Sequence, residues 1–323
     1  MRIILATLSV LYCFFSQNGY SAINLSTVYV TNLNDSGIGS LREALIFGNR
    51  NIVFKTQGTI KLNTPIVIKD LAYINLAFPE DTQIENQGIY ISNSHNINLT
   101  NLRIRFAAKY GLLITNGAHD IVVDHASIEN SSQSDVEFGK NIDINNSSYN
   151  ITIRNSIIAY AIEGVDVLNI KYKGMLVTDN NMVPAPTKIT LFNNLFYNNF
   201  QRSPQFSNPG ELNMSNNVIY GWGSYGTRVR NKAISTLSDN LYLNPQRPNK
   251  EKDALILAEG TTNVLVGNMI LKNQGFECVA LDQSPNDKTC SLLQRNKDSY
   301  GALPRDAFDN IIMTDALQAL PAL

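Results

Sequence analysis

The chain has 323 residues, of which 44% are hydrophobic and 16% charged, with a formal net charge of −1. That is enough chain for a large core, and it lacks the basic balance or basic run of a nucleic-acid binder. Three cysteines exclude a disulfide-dense small scaffold, and no apolar run is long enough to predict a membrane span.

In chain order, Arg2, the apolar run Ile3 to Phe15 and the small and polar residues ending at Ser21-Ala22 have the layout of a secretory signal peptide over residues 1–22. Cleavage is expected near Ala22, which makes the protein secreted or periplasmic. Cys13 would leave with the leader. The mature chain then opens on a strand at Val28-Tyr29-Val30 and a turn at Asn34-Asp35-Ser36-Gly37. Ser40 and Glu43 form a capping box, and Leu41, Ala44 and Leu45 give the following short helix one apolar face. Strands follow around Ile52-Val53-Phe54, Thr59-Ile60, Ile66-Val67-Ile68 and Ile74-Asn75-Leu76.

From Ile97 a phrase recurs: two apolar residues separated by one, then usually Asn, then a third apolar residue. It reads Ile97/Leu99/Asn101/Ile104, Ile121/Val123/His125/Ile128, Ile151/Ile153/Asn155/Ile158, Ile189/Leu191/Asn193/Phe196, Leu212/Met214/Asn216/Ile219 and Val264/Val266/Asn268/Leu271. A looser copy surrounds Leu237, Asp239 and Tyr242. Alternation over three residues marks a short strand with one buried face, and the polar residue marks the corner that ends it. Spacings as short as Ile97 to Ile121 leave no room for a helix in the unit, so the repeat predicts an all-β, single-stranded right-handed parallel β-helix. Stacked Asn side chains would satisfy the turn groups. A stack needs its open end covered, and the helix after Ser40 is the natural cap.

A solenoid grows by adding coils, so residues 23–323 are read as one monomeric domain with coils to about residue 272. Beyond that come the loop holding Cys278 and Cys290, where an exported chain favours a local disulfide, and a mixed tail including Arg305 to Leu317. The long intervals after Ile121 and Ile151 are where loops swell, and solenoid binding sites gather on such loops.

Taken together, Gly39-Ser40-Leu41-Arg42-Glu43-Ala44, Val123-Asp124-His125, the run Ile189 to Phe196 through Arg202-Ser203-Pro204, and Asn216 to Gly223 resemble the pectate lyase and pectin lyase family of polysaccharide lyases, from about Val28 to Asn244. The resemblance implies cleavage of an acidic polysaccharide, a pectate- or pectin-type galacturonan, by β-elimination. Arg202, in Arg202-Ser203-Pro204, matches the family's proposed base. A free guanidinium hardly ever loses its proton, so such a base needs neighbouring positive charge. Lys173, before Gly174-Met175-Leu176, matches the lysine that neutralises the uronate carboxylate, with Lys171 as the alternative. Arg228 and Arg230 fall in the next coil as candidates for further uronates.

The departures concern calcium, which takes six to eight oxygen ligands. The positions of the family's Asp-x-Asp pair hold Lys109, Tyr110 and Gly111. Of the later pair only Asp143 remains as a metal-ligand candidate, its partner position being Gly139, and Asp135 and Glu137 lie in the nearby loop. The family's second arginine falls at Ser207. Either Lys109 puts an ammonium where calcium would sit, as the related pectin lyases use a basic side chain, and no cofactor is needed; or a rebuilt site binds Ca²⁺; or catalysis is lost and a carbohydrate-binding β-helix remains. Glycoside hydrolysis ranks below, since it needs paired carboxylates that the repeat does not carry. Asp124-His125 is read as a structural pair, and Tyr220 and Trp222 as core residues before sugar platforms.

Overall fold

The computed structural model describes residues 25–131, 139–159, 173–180, 184–272 and 277–320, so the expected leader and the acids Asp135 and Glu137 lie outside the described residues, as do Lys171 and most of the two long loops. Each full coil visits three sheets in turn, which we number by that order. Sheet 1 has ten strands from Ser26–Val30 to Thr262–Val266, sheet 2 ten from Thr59–Lys61 to Glu277–Ala280, and sheet 3 eight from Ile66–Lys69 to Leu255–Leu257. Every pairing is parallel except Met269–Lys272 with Glu277–Ala280. The fold is a parallel β-helix.

The repeated phrase is the sheet 1 strand with its corner. Ile97, Ile121, Ile151, Ile189 and Leu212 pair in register, as do Leu99, Val123, Ile153, Leu191 and Met214, and both columns are fully enclosed. Like side chains stacked one rung apart, about 4.8 Å, line the lumen and form one core. The capping helix, Leu41–Ala44, closes the first coil: Ser40 Oγ accepts from Glu43 N, and Leu41, Ala44 and Leu45 join the core.

The asparagine column divides into two. Asn101, His125, Asn155, Asn193, Asn216 and Asp239 hold φ between 53° and 55°, where Asn is tolerated better than most residues. The enclosed ladder lies one residue later, at Asn194, Asn217, Asn240 and Asn268. Their amides donate along the stack at 2.9, 3.0 and 2.9 Å, and each Oδ1 from Asn217 onward also accepts the preceding rung's backbone N–H. Two jobs therefore fall on adjacent positions, one conformational and one hydrogen-bonding. Asn217→Ala would orphan several buried groups at about 1–3 kcal/mol each. A melting-temperature loss well beyond that of the exposed Asn213→Ala is the expected result.

The last copy of the phrase is out of register by one. Leu265 pairs with Leu237 and packs on the core, while Val264 and Val266 are exposed, and Ile270 rather than Leu271 continues the Tyr242 column. At the stack's end the alternation is apolar on both faces, so the pattern alone could not choose the inner one.

The tail is a second covering layer. Helix Ala307–Gln318, with Leu292, Leu293 and Tyr300, packs on the outer face of sheet 2 against Ile157, Leu195, Val218, Leu241 and Met269. Tyr220 belongs to this layer and Trp222 to the lumen, where its Nε1 donates to Lys250 O. The Cys278–Cys290 disulfide, with Cα atoms 6.1 Å apart, pins the start of the tail.

Candidate functional site

With the lumen filled and the outer face of sheet 2 covered, sheet 3 offers an outer face on which charged side chains accumulate. In its strands Ile142, Ile144, Val177, Phe206 and Val229 point inward and are fully buried. Period-two alternation then sends Asp143, Gln205, Arg228, Ser207 and Arg230 outward. Register aligns Leu113, Asp143, Leu176, Gln205 and Arg228 in one column and Asn145, Thr178, Ser207 and Arg230 in the next.

The strand entrances bring in the remaining cations. Lys140 N donates to Lys109 O at 3.0 Å, Asn141 N to Lys173 O at 3.0 Å, and Met175 N to Arg202 O at 2.6 Å. Lys109, Lys140, Lys173 and Arg202 therefore enter sheet 3 on four consecutive rungs. The close approach depends on glycine: a Cβ on Gly174 would lie 2.5 Å from Arg202 O and 2.9 Å from the Asn199 amide. Gly174→Ala must push the Arg202 rung away. We expect it to cost about 1–3 kcal/mol in chemical denaturation and to lower any groove activity with it.

Lys140 Nζ donates to Asp143 Oδ2 at 2.8 Å, and both side chains are buried, 5% and 3% exposed. Burial pushes the Asp143 carboxyl up and the Lys140 ammonium down, and the bond between them opposes both shifts. The charges of Arg202 and Lys109 also bear on Lys140. Lys109 and Lys140 both lie over the Tyr110 ring, at 5.2 and 4.9 Å. Tyr225 donates to Gln205 Oε1 and carries Arg228 at 5.6 Å over its ring; its burial raises the phenol pKa while Arg202 and Arg228 pull it down. The buried Nε atoms of Arg202, Arg228 and Arg230 have no hydrogen-bond partner among the described residues. Buried donors left unmade are costly, and the three guanidinium groups that carry them give this face a run of positive charge.

Calcium fits this donor set poorly. One oxygen of Asp143 is taken by an ammonium, leaving Oδ1 as its one orphaned acceptor, against the six to eight oxygens the ion takes. Gly111 cannot host an acid, since its Cβ would lie 2.5 Å from Ile128 Cγ2 and 2.8 Å from Asn141 O. Among the described residues no three His, Cys, Asp or Glu side chains converge on a common point.

The residues singled out from sequence, Lys109, Asp143, Lys173, Arg202, Arg228 and Arg230, thus all lie in or at the entrance of neighbouring strands of sheet 3. The cation bonded to Asp143 is Lys140, a residue the sequence reading did not single out, and Lys109 lies on the neighbouring rung over the same Tyr110 ring. Lys140 went unnoticed because it follows Gly139, the position at which an acid was sought. Tyr110 and Tyr225 were likewise missed, and no periodic signal marks them. Asp124 and His125 meet at 2.8 Å at a sheet 1 corner, with Arg154 also on Asp124, as a structural cluster.

Residues 63–255 match the pectate lyase family. A probable pectate lyase C of Aspergillus fumigatus is 33% identical over 219 residues, 66% of this chain and 47% of that protein, and one from Emericella nidulans is 28% identical over 236 residues, 71% and 51%. The chain spans about half the length of these curated relatives. Among solved structures, the pectate lyase of Paenibacillus sp. 0602 superposes with a TM-score of 0.60 at 10% identity, covering 88% of this chain and 93% of that one. The pectate lyase of Bacillus sp. N165, solved in complex with trigalacturonate, gives 0.55 at 14%, covering 85% and 93%. At such identities the likeness is one of fold.

Proposed function

Because this chain belongs to the pectate lyase family, we propose that it is an exported lyase cleaving a uronate polymer of the pectate or pectin type by β-elimination, with Arg202 as the base. The observation that carries the reading is the run of Lys109, Lys140, Lys173 and Arg202 on four adjacent rungs, continued by Arg228 and Arg230. In the proposed step an unprotonated Arg202 nitrogen takes the proton on C5 of a uronate. The C5–H electron pair forms the C4–C5 double bond, and the C4–O bond breaks, leaving with the oxygen. The departing oxygen is protonated by water. Negative charge builds on the carboxylate beside C5 in the transition state, so ammonium groups at Lys173 and Lys109 lower the barrier most. Among the described residues no carboxylate pair lies on this face to serve as the acid and base of a hydrolase.

The test is incubation with polygalacturonate and with methylated pectin, following the near-ultraviolet absorbance of an unsaturated uronate product. Appearance of that product supports the reading. Saturable binding of oligogalacturonates with no double-bond product would replace it with a carbohydrate-binding role, which the serine at position 207 and the missing acids also accommodate.

A further inference from the structure

We propose that Lys140 is the built-in cation of this groove, its ammonium holding the place beside Asp143 that a calcium ion would need, so that the site works without metal. The inference deepens the uronate-lyase reading and rests on it only for its second test. Lys140 Nζ sits 2.8 Å from Asp143 Oδ2 and 4.9 Å from the centre of the Tyr110 ring, so a carboxylate and an aromatic face hold it from two directions. Lys109 lies over the same ring, and its backbone carbonyl accepts from Lys140 N.

Positions 109, 111 and 139, which align with the family's carboxylates, thus carry changes that agree with one another. Lys109 adds a charge, Gly111 has no room for an acid, and Gly139 is followed at once by the lysine that takes Asp143. A divalent ion would have to displace a buried ammonium from Asp143 and settle among further positive charges. Lys140 is a positioning residue on this view. It neutralises Asp143, which would otherwise repel a uronate, and keeps the sheet 3 face positive where the substrate carboxylate lies.

The first arm is calorimetric titration of the full-length protein with Ca²⁺, repeated with Tb³⁺ luminescence. The wild type is expected to show no saturable site at millimolar Ca²⁺, whereas Lys140→Glu, which frees Asp143 and adds a second carboxylate, gains one that a further Asp143→Asn change removes. Stoichiometric Ca²⁺ binding by the wild type, lost in Asp143→Asn, overturns the proposal. So does a Lys140→Glu protein that is folded by circular dichroism yet takes up no metal. The second arm is lyase turnover with chelator: rates within about twofold with and without EGTA support the proposal, and a requirement for added Ca²⁺ overturns it. If no polymer is cleaved under either condition while the titrations run as expected, the lyase reading falls and the Lys140 assignment stands.

Discussion

Arg202→Ala is expected to lower kcat on a uronate polymer by about 10²–10⁴-fold, the usual share of a general base, with KM changed far less. Arg202 is half-buried at a strand entrance with φ of 69°, a conformation that Arg and Ala both adopt at a cost, so the exchange adds little backbone strain. Its backbone carbonyl, which accepts from Met175, remains in either case. Thermal stability should therefore stay near wild type, which separates chemistry from folding. Arg202→Lys keeps a nitrogen at the end of a long side chain but not the planar fork that aims it, and on the proposed mechanism it does not recover wild-type turnover. Wild-type kcat in Arg202→Ala would remove it from the catalytic role.

The second large effect is on stability, at a buried ionic cluster far along the chain from its partners. Arg105, 2% exposed, donates to Glu129 Oε2 at 3.0 Å and to Asp306 at 2.5 and 3.0 Å, while Arg103 approaches Asp306 and Asp309 at 3.8 and 4.0 Å. The cluster joins sheet 2 to the start of helix Ala307–Gln318, where Asp306 is the N-cap. Arg105→Ala leaves the fully buried Glu129 without the guanidinium that bonds it, while burial and Glu129 already push the Asp309 carboxyl up. Removing one partner of such a pair costs about 3–5 kcal/mol, and the expected signature is tail release, seen as faster hydrogen exchange in 307–318 with the coils still protected.

The pH dependence of this clasp has a defined sign. Burial pushes Asp306 up, but the Arg105 hydrogen bond and charge outweigh it and leave the carboxyl below its ordinary value. A depressed carboxyl contributes stability that is complete above the unfolded-state pKa of about 3.9 and is lost as pH falls through the folded one. The stability gap between wild type and Asp306→Asn should therefore be full at pH 7 and close in acid. A gap unchanged down to pH 2 would contradict the assigned ion pair.

Much of the coil was legible because a β-helix writes its geometry at short range. Ile97, Ile121 and Ile151 are separated by two dozen residues or more, yet each is specified by its own alternating neighbours. Registration failed only where that local code is ambiguous, at Val264 to Leu271. The tail was read as mixed sequence although Leu195-Phe196-Tyr197, Val218-Ile219-Tyr220 and Leu241-Tyr242-Leu243 are apolar on both faces, the mark of strands covered on both sides. What covers them cannot be read from the strands themselves. Nor does the sequence mark Arg103 and Arg105 as buried, since Asp306, the acid from the tail, stands some two hundred residues away.

By itself, then, the amino-acid order determined the all-strand solenoid and its helical cap, because both follow from periodicity within one coil. Tertiary structure alone decided which charge meets which. It put Lys140 on Asp143, separated the left-handed corner from the enclosed amide ladder, and laid the tail over sheet 2. Those outcomes depend on side-chain reach and burial between rungs, where a few ångströms choose a partner and no spacing along the chain records the choice.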